Sequence, residues 1–178
     1  LIKACYGRKD KLEEIVKGKE KIKNCDIPII AVPTTSGSGS EATHFAVAYI
    51  GKKKYSVASN FLLPDYICLD SSLSISSSPY QKSCNVLDAI SQAIESSWAV
   101  SSSDESRELS FESLNLSMKN YKKFIFSKKA SKSSQSMMEA SHLAGQAINI
   151  AKTTSAHAWS YGFSSNFNIP HGHAVWLT

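Results

Sequence analysis

Five histidines and a few spaced carboxylates and hydroxyls are the side chains here whose chemistry reaches beyond packing. In "LDAISQAIES", Asp88 and Gln92 stand four residues apart, one turn along one face of a helix. Far downstream, "SAHAWSYGFSSNFNIPHGHAVWLT" carries His157, His171 and His173. A carboxylate and two imidazoles form a donor set for a divalent cation, and the Gln92 side-chain oxygen offers a fourth ligand. Each also has a plain structural role open to it. Asp88 suits a helix N-terminus, Gln92 a solvated helix face, His157 a hydrogen-bonded core position, and "PHGH" a turn. Their joint occurrence is what favours a metal.

A second candidate is "AVPTTSGSGSEAT", Ala31 to Thr43. Thr34, Thr35, Ser36, Ser38 and Ser40 supply hydroxyls, while the glycines let backbone N–H groups approach an anion without a Cβ between. A helix starting just beyond would add a favourable field. The turn lacks the Gly-Lys-Ser/Thr of a Walker A loop and is not G-x-G-x-x-G. By itself it fits an ordinary loop as well as an anion cradle.

The elements that must position these residues fall into two textures. Asp10 to Lys23 reads as a short surface helix and loop. Ile29 to Val32 is an unbroken apolar run, predicting a strand buried on both faces of an α/β sheet. "FAVAYI", "YSVAS" and "YICLD" follow as short strands. After "SSLSISSSP" the period turns helical. One helix is predicted over Asp88 to Ala99. A second starts at a Ser102/Glu105 capping box with Phe111, Leu114, Met118, Tyr121 and Ile125 on one face. After a loop over "SKKASKSSQS", a third runs from Met137 to Ala151, with Ala140, Ala144, Ala147 and Ala151 inviting close packing. The break near Pro79 divides residues 1–78 from an all-α part over 79–178.

Composition narrows the class. The 178 residues are 42% hydrophobic and 20% charged, as in a globular protein with a real core. The net charge of +5 is spread over Lys17 to Lys23, Lys52 to Lys54, Lys119 to Lys123 and Lys128 to Lys132, without interleaved aromatics, which argues against a nucleic-acid partner. Cys5, Cys25, Cys68 and Cys84 form no C-x-x-C pair, which suits reduced thiols in a cytoplasmic protein. No apolar run is long enough for a bilayer, and the start "LIKACYGRKDKLEEIV" does not read as a signal peptide. A first residue other than methionine and a close on "HAVWLT" suggest a fragment.

In order, "PTTSGSGSEAT", "LDAISQAIES" and "AHAWSYGFSSNFNIPHGHAV" resemble the iron-containing (group III) alcohol dehydrogenases, from about Ile27 to the end of the chain. The resemblance implies a Rossmann-like, dehydroquinate synthase-like α/β part followed by an all-α metal-binding domain. It implies that Thr34, Thr35, Gly37, Ser38 and Lys54 line NAD or NADP, although Lys54 equally suits a surface turn. It implies that Asp88, Gln92, His157 and His171 hold a divalent metal, Fe²⁺ or Zn²⁺. Gln92 and Tyr161 stand where many members have histidine, and Val86 replaces a common glycine. The wording around Asp88 and "INIAKTTSAHAWSYGF" looks like the phosphonoacetaldehyde reductase branch. The implied activity is reduction of a small aldehyde, simple or phosphonate-bearing, to a primary alcohol, with a homo-oligomer left open. The alternative is an inactive truncated remnant serving as a structural or interaction module. No catalytic residue beyond the metal set is assigned.

Overall fold

The computed structural model describes residues 2–8, 11–51 and 53–178. Asp10, where the predicted first helix begins, and Lys52 of the second lysine cluster lie outside them. The chain begins with helices α1 (Ile2–Cys5) and α2 (Leu12–Val16) and then carries strands β1 (Ile30–Ala31), β2 (Phe45–Ile50), β3 (Lys53–Ala58) and β4 (Tyr66–Ile67). Helices α3 (Pro79–Trp98), α4 (Asp104–Ile125), α5 (Lys132–Ala151), α6 (Ser155–Phe167) and α7 (His171–Trp176) complete it. An α/β N-terminal part is thus followed by an all-α part. Among the described residues, no helix is long and apolar enough to cross a membrane.

β1 and β4 pair in parallel, and β2 and β3 form an antiparallel hairpin with Phe45 opposite Ala58 and Ile50 opposite Lys53. The apolar run at Ile29 to Val32 does not become a strand buried on both faces, for Ile30 is 65% exposed. Among the described residues β1 has β4 as its only sheet neighbour, and its residues are exposed at Ile30 and half-buried at Ala31. The short helix and loop expected over residues 10–23 appear as α2 and the segment after it, where the chain turns at Gly18 with φ 73°. A core of Ala4, Ile15, Val16, Val57 and Leu62 ties this part together.

α3 starts nine residues before Asp88. The Ser78 side chain caps it by accepting from Gln81 N, and Pro79 occupies the first turn, where its missing N–H costs nothing. The capping box of α4 is Ser103/Ser106 rather than Ser102/Glu105, and a second box, Ser131/Ser134, starts α5 inside the predicted loop. Of the face expected to pack, Leu114, Tyr121 and Ile125 of α4 lie against the core, but the helix is rotated so that two members point outward. Phe111 and Met118 are 61% and 60% exposed, while Ser106, Ser110, Ser113 and Ser117 are buried. Small side chains let the helices approach closely, and their hydroxyls find nearby partners: Ser113 donates to Ala140 O at 2.7 Å, and Ser110 meets Ser96 at 2.8 Å. Ala140, Ala144, Ala147 and Ala151 are all buried, as their spacing predicts. Val86, Ile90, Phe124 and Met137 close the apolar core beneath Asp88.

Candidate metal centre

Three elements deliver the site. Asp88 lies buried at the middle of α3, His157 near the start of α6 and His171 at the first residue of α7. α7 comes close enough because Gly172 has no Cβ. One there would run into Cys84 O of α3 and sit 3.0 Å from Asp88 Cβ.

His157 Nε2 is 3.4 Å and His171 Nε2 3.8 Å from Asp88 Oδ1, and one donor atom from each of the three lies within 4.8 Å of the others. A tetrahedral ion about 2.1 Å from each ligand places its donors about 3.4 Å apart, so the spacing suits one cation. Two of the donor atoms also lack a competing hydrogen bond. His157 Nε2 and Gln92 Oε1 are buried without hydrogen-bond partners, while Gln92 Nε2 donates to Asp88 Oδ1 at 3.2 Å. Rotating the amide exchanges its oxygen and nitrogen and turns the oxygen toward the same point.

Glu95, seven residues after Asp88 on the same helix, organises the rest. Its Oε2 pairs with His157 Nδ1, and its Oε1 accepts from Thr154 N, Thr154 Oγ1 and Ala156 N at 3.0, 2.7 and 3.0 Å. A carboxylate from α3 therefore caps α6 and fixes the imidazole with Nε2 facing Asp88. Burial opposes its ionisation, but the hydrogen bonds from His157 and Thr154 prevail and hold its pKa down at about 2. Burial likewise presses His157 toward neutrality, yet the carboxylates beside its two ring nitrogens prevail and hold it up at about 9. A cation bound at Nε2 takes the place of that proton. Burial lowers the His171 pKa.

The centre opens into a cavity of about 580 Å³ that Ser38, Lys54, Lys152 and Tyr161 also line. Tyr161 stacks on His171 with ring centroids 5.7 Å apart, and Lys54 Nζ stands over the Tyr161 ring. Burial brings the Lys54 pKa down to about 8. Of the residues expected at a dinucleotide, Ser38 and Lys54 thus reach the metal cavity, while Thr34, Thr35 and Gly37 stand off its wall. Gly37 packs on α3, where a Cβ would lie 2.9 Å from Asn85 Cα. Gly39, at φ 55°, seats the turn on α5 by donating its N–H to Ser141 Oγ at 3.2 Å. His173 turns away and meets Tyr80 OH at 2.9 Å. Sequence reasoning missed Glu95, although its place three residues after Gln92 on the ligand face was a usable signal. It also missed Lys152.

This fold and site define a class: an α/β part that seats a glycine-serine turn against a helical part holding one carboxylate and two imidazoles. The chain belongs to the iron-containing alcohol dehydrogenase family, matching its family models "iron-containing alcohol dehydrogenase" over residues 1–71 and "Fe-containing alcohol dehydrogenase family, C-terminal" over residues 84–178. It is 30% identical to long-chain-alcohol dehydrogenase 1 of Geobacillus thermodenitrificans, over 87% of this chain and 39% of that protein. It is also 30% identical to phosphonoacetaldehyde reductase of Streptomyces viridochromogenes, over 85% of this chain and 39% of that protein. Among solved structures, sulfoacetaldehyde reductase of Bifidobacterium kashiwanohense in complex with NAD⁺ superposes with a TM-score of 0.86 at 31% identity, over 92% of this chain and 44% of that one. An iron-containing alcohol dehydrogenase of Thermotoga maritima gives 0.88 at 28% identity, over 98% and 47%. The chain spans less than half the length of each of these relatives.

Proposed function

We propose that the protein carrying this chain is a cytoplasmic, metal-dependent NAD(P)H oxidoreductase that reduces a small aldehyde to a primary alcohol, with phosphonoacetaldehyde as the leading substrate. The observation that carries this reading is the convergence of Asp88, His157 and His171, with an unpartnered His157 Nε2, on a cavity shared with Ser38 and Lys54. Asp88, His157 and His171 are the assigned ligands, and Gln92 is the fourth through its amide oxygen. Thr34, Thr35, Gly37, Ser38 and Lys54 are assigned to the dinucleotide. In this division residues 1–78 belong to the nucleotide-binding part and residues 79–178 to the metal-binding part. The relatives named for phosphonoacetaldehyde and sulfoacetaldehyde support the substrate class.

When bound, the ion supplies Lewis acidity to a carbonyl oxygen and the nicotinamide supplies two electrons as hydride to the carbonyl carbon, a proton completing the alcohol. The chain's own residues do the positioning. Glu95 keeps the His157 lone pair aimed at the ion. Tyr161 covers His171 and narrows the water-accessible mouth. Gln92, a neutral donor weaker than imidazole, gives a site whose metal is readily exchanged.

The test is NADH and NADPH oxidation by the full-length protein with phosphonoacetaldehyde and with simple aldehydes, with and without added Fe²⁺ or Zn²⁺. Metal-dependent turnover of an aldehyde is expected. Absence of turnover under every metal would sink the oxidoreductase reading and leave the inactive remnant in its place.

A further inference from the structure

Lys152 ends α5 in a conformation that an L-residue rarely adopts, φ 66° and ψ 175°. That corner of conformational space belongs to glycine, and other residues persist there only where their surroundings hold them. Here both sides are held. Lys152 N donates to Ile148 O at 2.8 Å, Ser101 Oγ bonds the preceding carbonyl of Ala151, and Thr154 is fixed by Glu95. Lys152, itself exposed, and its neighbour Thr153 line the metal cavity. Among the described residues it forms no ion pair.

The charge balance of the cavity gives this lysine a use. Asp88 is the single carboxylate on the wall among the described residues, and a bound divalent ion consumes its charge. Lys54 is engaged over the Tyr161 ring and is assigned to the dinucleotide. Lys152, exposed on the wall of the same cavity, therefore remains as a cation without an ion-pair partner among the described residues. Four residues lie between it and His157.

We propose that Lys152, with the Thr153 hydroxyl beside it, is the anchor for a tetrahedral oxyanion on the substrate, so that the preferred aldehydes carry a phosphonate or sulfonate one or two carbons from the carbonyl. Lys152 is then a specificity-determining residue of the reductase reading above, on which this assignment rests. An ammonium pairs well with such a group at the end of a short chain, and the fixed backbone sets where the lysine stem leaves the wall of the cavity.

The experiment compares the full-length parent with Lys152→Gln and Lys152→Gly, the second of which suits the backbone and keeps the test alive if glutamine disturbs folding. For each, kcat/KM is measured with phosphonoacetaldehyde, sulfoacetaldehyde and propionaldehyde, together with the KM for NADH and NADPH. Binding of 2-hydroxyethylphosphonate and of 2-hydroxyethanesulfonate is read separately by calorimetry. The anionic-to-neutral ratio of kcat/KM should fall about 10-fold or more in both variants, mainly through KM, and product binding should weaken equally. Comparing the two aldehydes and their products tells which oxyanion is favoured. An unchanged ratio overturns the assignment, as does a loss confined to the KM of NADPH, which would give Lys152 to the cofactor. Turnover of neutral aldehydes alone by the parent overturns it while leaving the reductase reading intact. If no aldehyde is reduced, the reductase reading fails, and product binding as tight in the variants as in the parent then decides against Lys152 independently.

Discussion

Glu95 carries more of the site than its neighbours on α3, because one buried carboxylate performs two tasks. Its Oε1 gathers the first N–H groups of α6, and its Oε2 holds His157 Nδ1. Glu95→Gln preserves much of the shape and removes the charge, whereas Glu95→Ala removes both. Metal affinity, read by competition with a chelating dye at neutral pH, should fall about 10-fold in the glutamine variant, the usual range for losing a partner behind a ligand. The alanine variant should in addition lose about 1–2 kcal/mol of stability as the cap disappears. Parent-level metal retention in both variants would mean that His157 is oriented by something else. Asp88, Gln92, His157 and His171 were legible in the sequence as types at helical or motif spacing. Glu95 was legible only as a carboxylate on the same helical face, and its burial and capping role become visible only when α6 is known to lie against it.

At the scale of elements, the centre depends on how closely α7 lies on α3, and Gly172 sets that distance. A methyl group there meets Cys84 O and the Asp88 Cβ, both on a helix packed from several sides and unable to retreat. Gly172→Ala should therefore displace α7, and His171 with it, costing about 1–3 kcal/mol in denaturant unfolding and lowering bound metal in the purified protein. Unfolding and metal content both equal to the parent would show that α7 does not hold this position. The same closeness explains which parts of the fold escaped the sequence pattern. Of the apolar face expected on α4, Leu114, Tyr121 and Ile125 pack on the core, while Phe111 and Met118 face outward and a row of serines is buried, where alanines on α5 and serines on α3 leave room for small groups. Hydrophobic periodicity finds faces that bury bulk, and it passes over faces that bury backbone proximity. The apolar run at Ile29 to Val32 shows the converse. Its composition announces a covered strand, yet burial is conferred by neighbours, and β1 has one.

For the whole molecule, the cavity lies between the α/β part and the helices, and polar contacts join the two sides. Gly39 N donates to Ser141 Oγ, His44 N donates to Asn149 Oδ1 at 2.8 Å, and His142 meets Glu41 at 3.1 Å. All three join the glycine-serine turn and its exit to one helix, α5. A ligand that tightens the helical part should thus stabilise the strands as well. An ion bound by the native site alone adds about 2.7 kcal/mol at a free concentration 100 times its Kd. For a unit of this size that raises the thermal midpoint by roughly 5–10 °C. Calorimetry of the full-length protein, stripped with chelator and then reloaded with Zn²⁺ or Fe²⁺, should show this rise in one transition followed equally by far-ultraviolet circular dichroism and by the fluorescence of Trp98 and Trp159. His157→Ala should abolish the shift. A midpoint indifferent to metal in the parent would remove the ion from the site. A shift seen in the helices but not in the hairpin of β2 and β3, followed by hydrogen exchange, would show that the three contacts on α5 do not couple the two sides of the cavity.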